Sequence, residues 1–594
     1  MSLGEYRGEE RLVIGMDLGT TMSAVSYSHL RDGESPRVHL IMKWPGQPAA
    51  AGDCKIPTLV RYDGDGKALL FGRAAQMNEA NLKDTYLAKW FKLWLHPSSM
   101  RTKFHLTPPP LPPKVAIRDI YADFLGFVFT HTRKSLEDTI GGNARDSLWT
   151  RFESTFVLCL AIPNGWDAAQ QGVLREAVVQ SGIMSLEDAM SRLTFVTEAE
   201  ASVHFAIAHA DIASWLRKDG MFLVTDAGGS TVDTVVYKCT SVAPALTLEE
   251  ATSSECVQAG SAVIDQAAEQ LFQRKMHQSQ FDDPETLETI LNDFEQNAKR
   301  EYDGSGDGAV IKTGTNFTDK TRNVTKGRIR LLRDEIEEVF AGPLNEIALS
   351  IDRAVRRAGQ KGEGALKLLT VGGFAESPRL RSFLKERLAS HDIELITVDE
   401  PTKKAAAEGA AYWYAKKFVV ARAARKSYGV MCAKRYDSSL PEHQARSHKV
   451  CTVIDGTEFI PDHFSRLVAK NEIVQNNASS RISYWRLSPT KPDFTSFQVN
   501  LHCIDDEKPP YWYTEDNGKM LPGFDHACTL KADMSGFERT LKPHTDPVTL
   551  KTYWRIDFAV EVFFGQTMLC AAVTWEEDSQ ARKGPVTVIA NSIQ

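Results

Sequence analysis

The stretch Leu12-Val-Ile-Gly-Met-Asp-Leu-Gly-Thr-Thr-Met-Ser-Ala-Val-Ser-Tyr27 runs as an apolar strand, an Asp, a tight Gly-Thr-Thr turn and a second apolar strand. About 200 residues later the pattern returns as Met221-Phe-Leu-Val-Thr-Asp-Ala-Gly-Gly-Ser-Thr-Val-Asp-Thr-Val-Val-Tyr237. Each reads as a β-hairpin with a polar tip. One Asp-Gly hairpin is a weak signal, because such turns close many hairpins for structural reasons alone. Two with matched flanks predict two similar lobes, each offering a hairpin to a shared cleft. Helical and strand patterns alternate around them, as an α/β architecture requires.

The tips suit phosphate. A Gly turn exposes backbone N–H groups in a concave array that favours anions. Gly19 allows close backbone approach, and Thr20 and Thr21 add hydroxyl donors. Gly228, Gly229, Ser230 and Thr231 offer the same at the second tip. The carboxylates of Asp17 and Asp226 would repel phosphate unless a hydrated Mg²⁺ lay between, with Asp233 joining its shell through water. A third element, Leu368-Leu-Thr-Val-Gly-Gly-Phe-Ala-Glu-Ser-Pro378, runs from a strand through a Gly-Gly turn toward a helix starting near Pro378. Such a turn can pass under a nucleoside and aim a helix N-terminus at phosphate.

In this order the pieces resemble the seventy-kilodalton heat shock protein superfamily, and within it the divergent subfamily numbered twelve, which shares the Gly-Gly-Phe-Ala-Glu-Ser-Pro run. The resemblance covers residues 10 to 415 well and the remainder loosely. It implies a two-lobed actin-like, ribonuclease H-like ATPase domain over 1–418, split near 200–220, that binds ATP or ADP with Mg²⁺. Asp17, Lys92, Glu198 and Asp226 take the catalytic places; Asp17, Asp226 and Asp233 approach the metal through water. Gly19, Thr20, Thr21, Gly228, Gly229, Ser230 and Thr231 form the two phosphate loops. Glu198, in Thr197-Glu-Ala-Glu-Ala-Ser202, positions the attacking water, and Ala161-Ile-Pro163 matches the hinge proline. Within Ala88-Lys-Trp-Phe-Lys-Leu-Trp94 the phosphate lysine is assigned to Lys92 over Lys89. Lys299 and Arg300, in Asn297-Ala-Lys-Arg300, pack on adenine, and Gly372 and Gly373 line the nucleoside pocket.

The bland readings run beside these. Lys89 and Lys92 sit among Trp90, Phe91 and Trp94 and could form the wet edge of an apolar helix. Lys299 and Arg300 could be a solvated helix face, and Glu198 and Glu200 surface charges. Asp17 and Asp226 are harder to dismiss, since both end apolar strands before glycine turns. The chain also departs from the family: Met22 replaces an aromatic, Ser230 a glycine, and Glu376 the arginine that clamps adenine. A carboxylate cannot stack on a base as guanidinium does.

Elsewhere, Phe156 to Ile162 reads as a buried strand broken by Pro163, and Asp167 to Gln180 as a helix. Ile336, Val339, Phe340, Ile347 and Ile351 share a 3.6-residue period with a kink or break at Pro343. Thr107-Pro-Pro-Pro-Leu-Pro-Pro113 is a stiff extended loop. Beyond residue 418 the period changes to two: Phe497, Val499, Leu501 and Cys503 alternate with polar residues, as do Ile556, Phe558, Val560 and Val562. Residues 419–594 are expected to form a β-rich, sandwich-like, substrate-binding-like domain without a helical lid. The basic stretch Lys416-Lys-Phe-Val-Val-Ala-Arg-Ala-Ala-Arg-Lys426 marks the boundary.

Composition sets outer limits. The 594 residues are 42% hydrophobic and 25% charged, an ordinary globular balance. A net charge of −7 argues against indiscriminate nucleic-acid binding. No apolar run spans a bilayer, and no signal-peptide pattern opens the chain. Nine scattered cysteines without a C-x-x-C pair read as reduced thiols, and the expected address is the cytoplasm. The leading expectation is a chaperone-like, slowly hydrolysing ATPase that couples nucleotide state to its β-domain, with a protein or peptide client there and a co-chaperone or exchange factor as partner. Two alternatives stay open: a nucleotide-stabilised binding or scaffold module without turnover, and a metabolic enzyme on this fold, such as a small-molecule kinase.

Overall fold

A computed structural model describes residues 4–47, 53–76, 84–97, 106–138, 147–166, 168–209, 212–243, 245–359, 366–389, 391–398, 404–476, 478–492, 494–539, 541–547, 550–565, 568–577 and 580–588. The chain divides into two units. One comprises 1–166, 170–248 and 254–419; the other comprises 420–594 with the short pieces 167–169 and 249–253.

The first unit is built on a duplicated sheet plan. Strand Arg11–Leu18 pairs antiparallel with Met22–Leu30 across the first tip, then parallel with Val157–Ile162, which pairs parallel with Leu193–Thr197. Strand Met221–Ala227 pairs antiparallel with Val232–Ser241, then parallel with Leu366–Val371, which pairs parallel with Ile393–Thr397. The registers match at the decisive residues. Asp17 lies beside Ala161 of its parallel neighbour, and Asp226 beside Val371. Across each hairpin Asp17 faces Ala24, whereas Asp226 faces Asp233. Directly opposed residues of an antiparallel pair share a face, so the second hairpin carries two carboxylates where the first carries one. The parallel strands are buried on both faces, which is why Val157–Ile162 reads as a continuous apolar run.

Two helices lie between these sheets. Glu198–His209 and Ala405–Lys416 are almost wholly buried and rich in alanine. Ala199 and Val203 join the core of the second sheet, while Ala201 packs with Ala406, Ala410 and Trp413 against Cys159 and Val196 of the first. The helices cross where Gly409 meets Ala201: a Cβ on Gly409 would lie 1.8 Å from the Ala201 carbonyl oxygen. Overpacking of this kind costs about 1–3 kcal/mol. Gly409→Ala is therefore expected to lower the unfolding free energy of the first unit by that amount, read as a lower midpoint in urea unfolding. An unchanged midpoint would mean that the crossing is looser than this. The pair is also pinned by Trp413, whose indole N–H donates to Glu200 Oε1 at 2.7 Å.

Several local expectations need correcting. Pro343 does not end its segment: the helix continues from Arg333 to Ala358 with Pro343 inside it. Glu198 and Glu200 are buried, not surface charges. The basic stretch at 416–426, by contrast, contains the division between the two units, after Val419, and is regular structure: the helix ends at Lys416, Lys417 takes the left-handed cap, and strand Val419–Ala423 follows with Arg422 buried.

The second unit contains two antiparallel sheets. One orders Cys451–Thr452, Glu458–Val468, Ser427–Arg435, Phe497–Ile504 and Phe524–Ala532; the other centres on Ser479–Ser488, Thr552–Gly565 and Met568–Glu577. Their inward residues form one core, with Val499, Leu501 and Leu530 on one side and Ile556, Val560 and Val573 on the other. The period-two pattern is the cause: Gln498 and Asn500 alternate outward, as do Arg555 and Asp557. All nine cysteines are free thiols, and six are buried. Among the described residues no helix is long and apolar enough to cross a membrane.

Candidate functional site

The polar ends of the two hairpins meet. Thr20 Oγ1 donates to Ser230 Oγ at 2.7 Å, 210 residues away in sequence, and Gly229 lies against Thr21, where a Cβ would sit 3.0 Å from its hydroxyl oxygen. Below this junction is a cleft lined by Asp17, Gly19, Thr20, Lys92, Glu198, Asp226, Gly228, Gly229, Ser230, Thr231, Gly372 and Gly373, with Lys404 at its side. A second concavity shares Gly372, Gly373 and Lys404 and extends to Lys55, Phe205, Val398 and Arg381.

Each charged group has a defined partner. Lys92, in the single helical turn Phe91–Leu95, is buried, and its Nζ lies 2.6 Å from Glu198 Oε1. Glu198 opens its helix directly after strand Leu193–Thr197, where an acidic residue complements the helix dipole. Burial raises the Glu198 carboxyl above its ordinary range, opposed chiefly by Lys92. Asp17 Oδ2 lies 2.6 Å from Lys404 Nζ. Asp226 Oδ2 accepts from Ser202 Oγ at 2.5 Å. Burial, reinforced by Glu198 and Asp17 and opposed by Ser202, pushes Asp226 up to about 7. Gly372 is required beneath it: its φ is +94°, and a Cβ there would sit 2.4 Å from Asp226 Oδ1. Asp233 is buried opposite Asp226 on the hairpin.

Ser230 has a second neighbour. Trp166 Nε1 donates to His96 Nδ1 at 2.9 Å, which leaves the proton of the neutral ring on Nε2, 3.2 Å from Ser230 Oγ. The serine that replaces a loop glycine thus ties both tips to the His96–Trp166 pair.

The remaining residues singled out in the sequence lie apart from this cleft. Lys299 Nζ pairs with Asp265 Oδ1 at 2.6 Å, and Arg300 is exposed. A π-turn at Phe294–Ala298 leaves Gln296 exposed and places Glu295 near Asp265 and Lys299; burial first, then Asp265, pushes Glu295 up to about 7. Lys89 ends a strand, is exposed, and acts electrostatically on Asp265 and Glu295, whereas Lys92 lines the cleft at the hairpin tips. Glu376 pairs at 3.5 Å with Lys55.

Sequence reading missed Lys404, Ser202, His96 and Trp166. Ser202 and His96 carry no local signal, since only the fold brings them in. Lys404 does carry one. It occupies the N-cap of the helix Ala405–Lys416 and makes no side-chain cap. A cation at the positive end of a helix dipole is unfavourable, and a broken local rule marks a candidate site.

Two matched lobes, each presenting an Asp-Gly hairpin to one cleft, define the architecture of actin-like nucleotide-binding proteins; here a β-rich unit accompanies them. The chain is 22% identical to heat shock 70 kDa protein 12A of Mus musculus, over 90% of its own length and 86% of that protein's. It is 21% identical to heat shock 70 kDa protein 12B of Homo sapiens over 83% and 80% respectively. Against the chaperone protein DnaK of Deinococcus proteolyticus it is 23% identical over 66% of this chain and 58% of that one. No family model matches. These likenesses make the chain a divergent heat shock 70-like protein, near subfamily 12.

Proposed function

We propose that the chain binds ATP and ADP in the cleft between its hairpins and hydrolyses ATP slowly, as a chaperone-like protein. The observation that carries this reading is the Thr20–Ser230 contact, which joins two glycine turns above one pocket holding Lys92, Glu198 and Asp226. Ser230 Oγ accepts from Thr20 and His96, so its own proton is the donor for a phosphate oxygen. The backbone N–H groups of the Gly19 turn and of Gly229 supply further donors, while the Gly228 N–H is taken by the Thr231 carbonyl. Lys92 adds a point charge, and Glu198 or Asp226 orients the attacking water, the placement that phosphoryl transfer needs most. The adjoining concavity, with Phe205, Val398 and Arg381, takes the nucleoside. Names among the relatives support the chaperone-like part, because one is a chaperone protein and two are heat shock proteins.

Mg²⁺ fits this cleft poorly as a directly bound ion. Among the described residues no three His, Cys, Asp or Glu groups converge to hold a metal. Asp17, one of the three carboxylates expected to approach the ion through water, is already paired with an ammonium. No step is therefore routed through a metal.

The test follows bound nucleotide and released phosphate in a single turnover, with Asp226→Asn alongside. The expected result is phosphate release by the wild type, slowed by about 100-fold or more in the variant while ATP still binds. Bound ATP that stays intact would instead make the chain a nucleotide-held binding module. The absence of ATP binding would remove the reading altogether.

A further inference from the structure

The cleft holds two cations that neither hairpin supplies: Lys92, which is paired with Glu198, and Lys404. Lys404 Nζ sits 2.6 Å from Asp17 Oδ2, and both side chains are largely shielded, at 18% and 5% exposure. The ammonium lies against the first glycine turn: a Cβ added to Gly19 would come within 3.4 Å of Nζ. It lines both concavities together with Gly372 and Gly373. Burial alone would pull its proton affinity down, but Asp17, then Glu198 and Asp226, hold it above the ordinary lysine value. Three carboxylates thus act on one ammonium at the point where the phosphate turns open.

Such a group can do what is usually asked of a hydrated divalent cation at a phosphate site. It neutralises the carboxylate that would otherwise repel the ligand. An ammonium also has three N–H donors; Asp17 takes one, and two remain for phosphate oxygens. The position is costly for a lysine, at the N-cap of a buried helix whose dipole opposes it. Electrostatic pairing with Asp17 offsets most of that cost, with smaller contributions from Glu198 and Asp226.

We propose that Lys404 is a resident counter-ion of the cleft, so that a nucleotide polyphosphate binds there without a divalent cation. The proposal rests on the nucleotide-binding reading above and separates from it by experiment. The full chain is titrated calorimetrically with ADP and with ATP, once in Mg²⁺ and once in EDTA, using wild type, Lys404→Gln and Asp17→Asn. Wild-type affinity is expected to change by less than about threefold between the two buffers. Lys404→Gln is expected to bind about tenfold or more weakly in EDTA and to recover most of that loss in Mg²⁺, since the freed Asp17 carboxylate now faces the phosphates. Asp17→Asn, which keeps the ammonium and removes its partner, is expected to bind in EDTA at least as tightly as wild type. Circular dichroism checks that each variant is folded, and the wild-type comparison needs no variant.

Binding by the wild type only when Mg²⁺ is present overturns the proposal and leaves the nucleotide reading standing. Wild-type binding in EDTA that Lys404→Gln does not weaken also overturns it, because the metal independence then has another source. Binding in neither buffer removes the nucleotide reading, and this proposal with it.

Discussion

Asp226→Asn is expected to stabilise the ligand-free protein at pH 8 and to leave it nearly unchanged at pH 4. Asp226 lies at the end of a buried strand with Glu198 and Asp17 as neighbours, and its carboxyl is raised from the ordinary 3.8 to about 7. The sign follows from proton counting. Between pH 4 and pH 7 the folded protein keeps a proton that the unfolded chain has released, so stability falls as pH rises across that interval. Below pH 4 both states are protonated and the term vanishes. Above pH 7 the full penalty applies, at ~1.4 kcal/mol per pH unit ~4 kcal/mol as an upper bound. Asparagine is nearly isosteric, cannot ionise, and can still accept from Ser202 through its amide oxygen. A gain of about 2 kcal/mol at pH 8, fading toward acid, is the expected result of urea unfolding at a series of pH values. A gain that is flat with pH would assign the effect to something other than the carboxylate's charge. The same substitution is expected to slow turnover by about 100-fold or more, so a group that burdens the empty fold would serve the loaded one.

The arrangement of carboxylates explains which parts of this molecule can be read from its sequence. Asp17 and Asp226 stand out because each ends an apolar strand and begins a glycine turn, and period-two patterning with tight turns is a local signal. The duplicated hairpin carries the paired lobes for the same reason. The sandwich pattern at Phe497–Cys503 and Ile556–Val562 is equally local. What sequence patterns do not carry are contacts made by chain crossing. Ser202 reaches Asp226 because a helix packs under a sheet, and His96 reaches Ser230 from a segment with no motif. Lys92 and Lys89 cannot be told apart by spacing, since a three-residue difference in a short aromatic segment is settled only by which side chain turns inward. Glu295 is the more buried and Gln296 the exposed residue at a π-turn over Phe294–Ala298, and no composition signals that turn. Pro343 misleads in the opposite direction: a proline in a 3.6-period pattern can signal a helix break, yet burial of Val339, Phe340, Leu344 and Ile347 accompanies a helix that continues past it.

Lys92→Met is expected to destabilise the protein more than any other single change in the cleft, and Glu198→Gln on top of it to restore most of the loss. Lys92 and Glu198 form an ion pair at 2.6 Å with 4% and 12% side-chain exposure, so neither has water to fall back on. Removing one member of a buried pair costs ~3–5 kcal/mol, because the other charge is left uncompensated. Methionine fills the lysine's volume, so little of that cost is a cavity. Glu198 would then face Asp17 and Asp226 with only the weaker opposition of the Lys404 ammonium, and its already raised carboxyl would rise further. Its proton would be held in the folded state over a wider range, so the Lys92→Met deficit should shrink as pH falls toward 5. Glutamine at 198 removes the stranded charge while keeping the shape, which is why the double variant is expected to lie within ~2 kcal/mol of wild type. A double-mutant cycle by equilibrium unfolding reads this directly as a coupling energy above ~2 kcal/mol. A single-variant cost below ~1 kcal/mol, or one that ignores pH, would mean that solvent reaches the pair and that Lys92 is a surface charge after all. Nucleotide affinity separates the two roles of the residue. The double variant recovers stability but not the point charge that Lys92 presents to phosphate, so restored folding with ATP binding still weakened by about tenfold is the expected outcome. Recovery of both together would place Lys92 in the architecture of the cleft and outside its chemistry.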